Sequence, residues 1–178
     1  MSNVIDTFTF FRKTLSQSAV VFHGDLDKKP EDGESIQPLY HINIKRGSLE
    51  LLQPTATGMQ SVLTGSFDSI TRRSATIRST SGLSAVKSNG ILSSGWTFIY
   101  LSDKYKWTVS TWNNSWTLKD INDRPLAKFT RFSFKFKKMG KLEVYKELDP
   151  VLIAMVMLTC KLVYNTVHAS EGDYGAGA

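Results

Sequence analysis

Several residues that usually declare a protein's chemistry are scarce here. The 178 residues include one cysteine, three histidines and five prolines. A single cysteine, Cys160, excludes an intramolecular disulfide, and its apolar neighbours make it a small core residue rather than a reactive thiol. His23, His41 and His168 are isolated. No His/Cys/Asp/Glu cluster has metal-ligand spacing. There is no nucleophile elbow, phosphate loop or dinucleotide fingerprint. The expectation is a protein that is not an enzyme and needs no cofactor or metal. Asp120 and Asp123 are close enough to suggest paired carboxylates, but they fall in a turn, where Asp is favoured for backbone reasons. The N-terminus carries Asp6 and alternating Thr and Phe instead of a basic-then-apolar signal. Neither terminus carries a lipidation motif. Together with the lack of paired cysteines, this predicts a cytoplasmic protein.

A long apolar run is also missing, although one shorter run is present. Val151 to Cys160 is apolar on every face of a helix, and Lys161 interrupts it. A span needs about 20 apolar residues, whereas runs of about 10–14 are more often buried core helices. A helix hydrophobic all round is either a membrane span or a rod wrapped by protein. Length favours the wrapped rod and no transmembrane span. Asp149 suits the N-cap and Pro150 the first helical position.

The rest reads as short β-strands separated by turns. Thr7–Phe11 and Ala19–Phe22 are β-rich. Residues 24–37 form an acidic loop with Pro30 and Gly33. Tyr40, Ile42 and Ile44 alternate onto one face, and Gly47-Ser48 turns into Leu49–Leu52. Ser74–Arg78 is a weak strand, and Ser79–Gly95 reads as a long loop. Trp96–Leu101, Tyr105–Trp112 and Ser115–Lys119 are strands, with Asn113-Asn114 as a hairpin signal. From Leu126 to Lys137 the apolar parity switches, from Ala127 and Phe129 to Phe132, Phe134 and Phe136. That switch implies a bulge or corner near Thr130-Arg131. Lys141–Tyr145 is the last strand. A flat sheet covers one face of an all-apolar helix, whereas a closed barrel covers all of them and removes free edges. The predicted fold is mainly β: a closed antiparallel β-barrel around a buried hydrophobic C-terminal helix. Residues 1–37 supply N-terminal strands and the acidic loop, 38–168 the barrel with its helix at 150–166, and 169–178 a flexible tail.

The run Tyr105-Lys-Trp107, Trp116-Thr-Leu118, Asp120-x-x-Asp123-Arg-Pro-Leu-Ala127-Lys-Phe129, Gly140-Lys-Leu-Glu-Val144, then Asp149-Pro and the apolar helix, resembles the tubby C-terminal-like superfamily. That superfamily includes tubby domains, phospholipid scramblases and LURP-one-related proteins, and the nearest look is to fungal tubby-like domains. The resemblance covers Trp96–His168 and extends weakly over Pro38–Ile77. It implies a barrel of about twelve strands around a central helix, consistent with the strand pattern. It also implies phosphoinositide binding through basic residues on the barrel wall. The chain has no cysteine-rich segment and no EF-hand-type loop, which speaks against scramblase activity.

The formal net charge is +6, and Lys128–Lys146 is strongly basic. On Phe132–Lys137 the phenylalanines face one way and Lys135 and Lys137 the other. Lys138 and Lys141 extend that set, and Arg72, Arg73 and Arg78 are candidates to join it. These seven are the candidate lipid- or anion-binding residues. An outward lysine face attracts anionic membranes by about 1 kcal/mol per charge, and equally serves as a solvated face that blunts strand edges. Trp112 and Trp116 flank the Asn113-Asn114 turn, either exposed as an interface anchor or packed over the barrel end. The expected partner is an anionic lipid headgroup, placing the protein peripherally at membranes. A protein partner is the alternative. Nucleic acid is disfavoured because the aromatics share strand faces with core residues.

Overall fold

The computed structural model describes residues 3–13, 18–31, 34–45, 47–67, 74–88, 95–110, 112–132 and 137–173, with only the backbone from 168 onward. The strands are β1 (Asp6–Arg12), β2 (Ala19–His23), β3 (Tyr40–Lys45), β4 (Ser48–Thr55), β5 (Gly58–Phe67) and β6 (Ser74–Ser79). They continue as β7 (Gly82–Ser88), β8 (Trp96–Tyr100), β9 (Asp103–Ser110), β10 (Ser115–Lys119), β11 (Pro125–Arg131) and β12 (Lys138–Val144), followed by helix α1 (Pro150–Asp173). Strands adjacent in sequence pair antiparallel, and β1 pairs with β12 to close the barrel.

Alternation builds the wall. Tyr40, Ile42 and Ile44 of β3 point inward, as do Trp96, Phe98 and Tyr100 of β8 and Tyr105 and Trp107 of β9. The helix fills the space that they leave. Ala154, Met155, Val156, Met157 and Leu158 are successive and all fully buried, so every face of α1 meets wall. Thr159 fixes the rotation of the rod. Its hydroxyl donates to the Met155 carbonyl at 2.8 Å and accepts from Trp107 Nε1 at 2.9 Å. A buried Thr and Trp thus satisfy each other across the core. Asp149 caps the helix, its Oδ1 accepting from the Val151 and Leu152 amides, each at 3.0 Å. The same oxygen accepts the Tyr100 hydroxyl at 2.9 Å, tying the helix start to β8.

The helix is longer than the sequence suggests. It spans 24 residues, and Pro150–Val167 is long and apolar enough by composition to cross a bilayer, but 67% of that window is buried inside the barrel. Burial, rather than length, identifies it as the core.

Two strands were hidden in the sequence. Residues 79–95, expected to be a loop, contain β7, whose inward residues are the small Ser84 and Val86 while Leu83 points out. β5 likewise buries little besides Leu63, and at Gly65 a Cβ would collide with the Thr76 backbone. The strand expected to run to Lys137 ends at Arg131. Phe134 and Phe136 lie outside the described residues. A bulge falls in β12 at Met139, where Phe10 and Phe11 of β1 face Gly140 and Lys138.

The barrel has two unlike ends. The helix enters where β12 hands over to Asp149, and leaves at the end that holds the close of β1 and β11 and the start of β12. At this exit end, the described strand termini include Arg12, Lys45, Arg131 and Lys138 and no carboxylate. The entry end carries Asp6 and Asp103 at strand termini, with Asp120, Asp123 and Asp149 in the turns.

Candidate anion-binding site

The outer wall near the exit end is covered by the loop after β2. Thr9 of β1 points outward and pins that loop: its hydroxyl donates to the Gly24 carbonyl at 2.7 Å and accepts the Leu26 amide at 3.0 Å. Leu26 then packs on Phe11, Val20 and Phe22, a second apolar cluster outside the barrel. This anchoring brings the loop's acids onto the lysines of β12. Lys141 Nζ lies 2.9 Å from Asp25 and 3.2 Å from Glu143. Lys138 Nζ lies 3.4 Å from Asp25, 3.9 Å from Asp27 and 4.6 Å from the centre of the Phe132 ring. The hydrogen bond from Lys141 holds the Asp25 carboxyl below its usual range, and the same bond raises Lys141.

This corrects the expected outward lysine face. Lys138 is buried, at 4% exposure, and the acidic loop offsets both it and Lys141. Lys137 is exposed. Arg78 is exposed too, but on β6, across the ring from β12. Arg72, Arg73 and Lys135 lie outside the described residues. The structure therefore brings together Lys137, Lys138 and Lys141 and separates Arg78 from them.

Beside the covered lysines an open groove of about 580 Å³ runs between the loop and β12. Lys28, Lys29, Lys137 and Lys138 line it, against Asp27 and Glu31. Lys28 and Lys29 are exposed and were not among the sequence candidates, because their neighbours Asp25, Asp27 and Glu31 make the loop read as acidic. The Lys28-Lys29 doublet was the available signal. Excess positive charge in an open groove suits an anionic ligand, with Lys–phosphate contacts as its natural chemistry.

The two tryptophans of the hairpin separate. Trp112 is 95% exposed at the exit end, whereas Trp116 is buried. Asn114 takes φ 46°, the left-handed turn geometry that Asn tolerates. His41 is half-buried, and burial, followed by the charges of Lys13 and Lys29, lowers its pKa. The Asp120 carboxylate is absorbed by its turn, accepting the Asn122 and Arg124 amides and pairing with Arg124 at 2.7 Å. Asp123 pairs with Lys119 at 2.9 Å. Cys160 is buried, and burial pushes its thiol pKa well up. Among the described residues no group of three or more His, Cys, Asp or Glu could hold a metal ion. The chain matches no family model, no curated protein and no solved structure.

Proposed function

We propose that this chain is a noncatalytic docking barrel of the tubby-like kind that binds anionic membrane lipid through the groove at its exit end. The observation that carries this reading is the groove lined by Lys28, Lys29, Lys137 and Lys138, at the same end as the exposed Trp112. A membrane approaching that end meets lysines for its phosphates and an indole for its interfacial zone. The closed barrel around a central helix also supports the tubby-like resemblance, whose lipid site is a basic wall. Scrambling with an inserted helix is disfavoured, because α1 would first have to leave its wall. The test is cosedimentation with phosphatidylcholine vesicles, with and without a phosphoinositide. Binding should require the phosphoinositide, weaken with salt, and fall about tenfold or more when Lys28, Lys29 and Lys137 are all changed to Glu, at about 1 kcal/mol each. Binding indifferent to salt and to all three changes would refute the reading.

A second reading, a protein-interaction barrel, draws on the entry end. Leu83, Leu101 and Ile121 are exposed on the β6–β7, β8–β9 and β10–β11 hairpins there. Leu101 adopts φ 47°, a region costly for a branched apolar residue. A saturable protein partner lost on Leu101→Asn, with no vesicle binding, would favour it.

A further inference from the structure

The ring of strands is closed, but one hairpin rises past it at the entry end. β4 runs to Thr55 and β5 starts at Gly58, joined by the turn Ala56-Thr57. On its other side β5 pairs with β6 only from Thr64 to Phe67. Among the described residues, Met59 to Leu63 have no strand beside them there. At about 3.4 Å per residue, that free edge is about 17 Å long. Leu51 and Leu52 face Leu63 and Ser61, which leaves Val62 as an extra residue in β5. Such a bulge bends a strand away from its neighbours. Thr55 to Ser61 are exposed, so the outer half of the hairpin stands in solvent. Because Thr55 and Gly58 close the turn, the ladder bonds recur at Gln53 and Gln60. The amides and carbonyls of Met59 and Ser61 therefore point to the free side.

Folded proteins blunt such edges with charge, proline or a cover. The opposite edge of this hairpin follows that rule: β4 leaves β3 after Leu52, and Pro54 stands in the stretch beyond. The β5 edge does not. No charged residue lies between Glu50 and Asp68, and β5 contains no proline. Arg78 of β6 faces Thr64, where the free edge begins. Arg78 is exposed, and among the described residues no carboxylate pairs with it. Met59, on the edge itself, is 53% exposed. We propose that this edge takes an extended peptide segment of a partner protein as an added strand, with an apolar residue beside Met59 and an acidic residue beside Arg78. Main-chain hydrogen bonds supply the affinity of such strand addition, and alternate side chains its selectivity. A second copy of this chain is a poorer occupant. Its hairpin brings no acid to Arg78, and two chains of net charge +6 repel each other. The site rests neither on the wall groove nor on lipid binding.

The test is fluorescence anisotropy of the full chain with a labelled peptide of alternating Thr and Val that carries one Glu. Binding should be saturable. N-methylation of one alternate set of peptide amides should weaken it about tenfold or more, and of the other set far less. Ser61→Pro, which removes a free-side donor and no ladder bond, should also weaken it about tenfold or more. Replacing the peptide's Glu by Lys should weaken binding about twofold to fivefold, and Arg78→Glu should reverse that preference. Hydrogen exchange of the Met59 and Ser61 amides should slow in the complex, while that of Gln60 changes little. Absence of saturable binding, or binding unaltered in Ser61→Pro, overturns the proposal. A dimer that dissociates in Ser61→Pro, seen by sedimentation without peptide binding, gives the edge to a second copy and overturns it too. If Ser61→Pro does not fold, the methylated peptides and Arg78→Glu decide. Changing Lys28, Lys29 and Lys137 to Glu should leave peptide binding intact, so failure here leaves the groove reading standing.

Discussion

The two ends of the barrel are built from the same hairpins and carry opposite chemistry. At the entry end the carboxylates are consumed locally: Asp149 caps α1 and holds Tyr100, and Asp120 closes its own turn. At the exit end the described strand termini are cationic. Lys138 and Lys141 are met by the acidic loop, but Lys161 and Arg12 have no carboxylate among the described residues. A closed barrel has no free sheet edge to offer a ligand, so recognition falls to its ends and outer wall. The lesson is that charge left uncompensated, more than charge as such, marks where a ligand belongs.

The contrast depends first on the rod that both ends share. Met155→Asp or Leu158→Asp places an unpaired carboxylate where exposure is zero. The expected loss is about 4 kcal/mol or more, enough to abolish the cooperative melt followed by circular dichroism. A folded variant would mean that the helix is not held inside.

That rod was the most legible feature of the sequence, because an apolar run with a DP start admits few environments. Strands with aromatic alternation, such as β3, β8 and β9, were equally plain. β5 and β7 were not, because the inside of a filled barrel takes Ser84 or Gly65 where the wall lies close to the rod or to the next strand. Lys138 was misplaced for a different reason. The β12 bulge at Met139 and the loop pinned by Thr9 are tertiary events, and no periodicity records them. The Lys161 cluster left one trace, a charge interrupting an apolar helix, which reads as a terminator until Arg12 and Arg131 are seen beside it.

The next largest effect sharpens the exit end. Because the folded pKa of Lys161 is lowered to about 7 from 10.5, its neutral form is favoured by folding. Stability from this group is therefore full above about pH 10.5, is lost as pH falls toward 7, and is flat below. The cost at low pH is on the order of 5 kcal/mol. Among the described residues, Arg12, Arg131, Tyr164 and Cys160 are the charged or titratable groups around it. Comparing Lys161→Met with the wild type by denaturant melts at pH 6, 8 and 10 should show the largest gain at pH 6 and almost none at pH 10. A gain independent of pH would mean that Lys161 is charged throughout.

At the entry end, Asp149→Ala removes two amide contacts and the acceptor of the Tyr100 hydroxyl. It should cost about 1–2 kcal/mol in chemical denaturation and leave vesicle binding unchanged. An effect on binding would blur the distinction between the ends. The smallest expected effect is in the loop. Asp25→Asn should cost about 1 kcal/mol or less, because that pair is half-exposed, and should tighten phosphoinositide vesicle binding by leaving Lys141 with Glu143 as its one carboxylate among the described residues. Weaker binding would make Asp25 part of the site instead of a cover for it.

The orientation of the barrel on a bilayer is the central claim, and Trp112 reports it. It is 95% exposed, whereas Trp96, Trp107 and Trp116 are buried. With vesicles containing a phosphoinositide and brominated phosphatidylcholine, the fluorescence of bound protein should be quenched, and Trp112→Phe should remove that quenching while binding persists. Bound protein with no quenching, or quenching unchanged in Trp112→Phe, would contradict docking through the exit end.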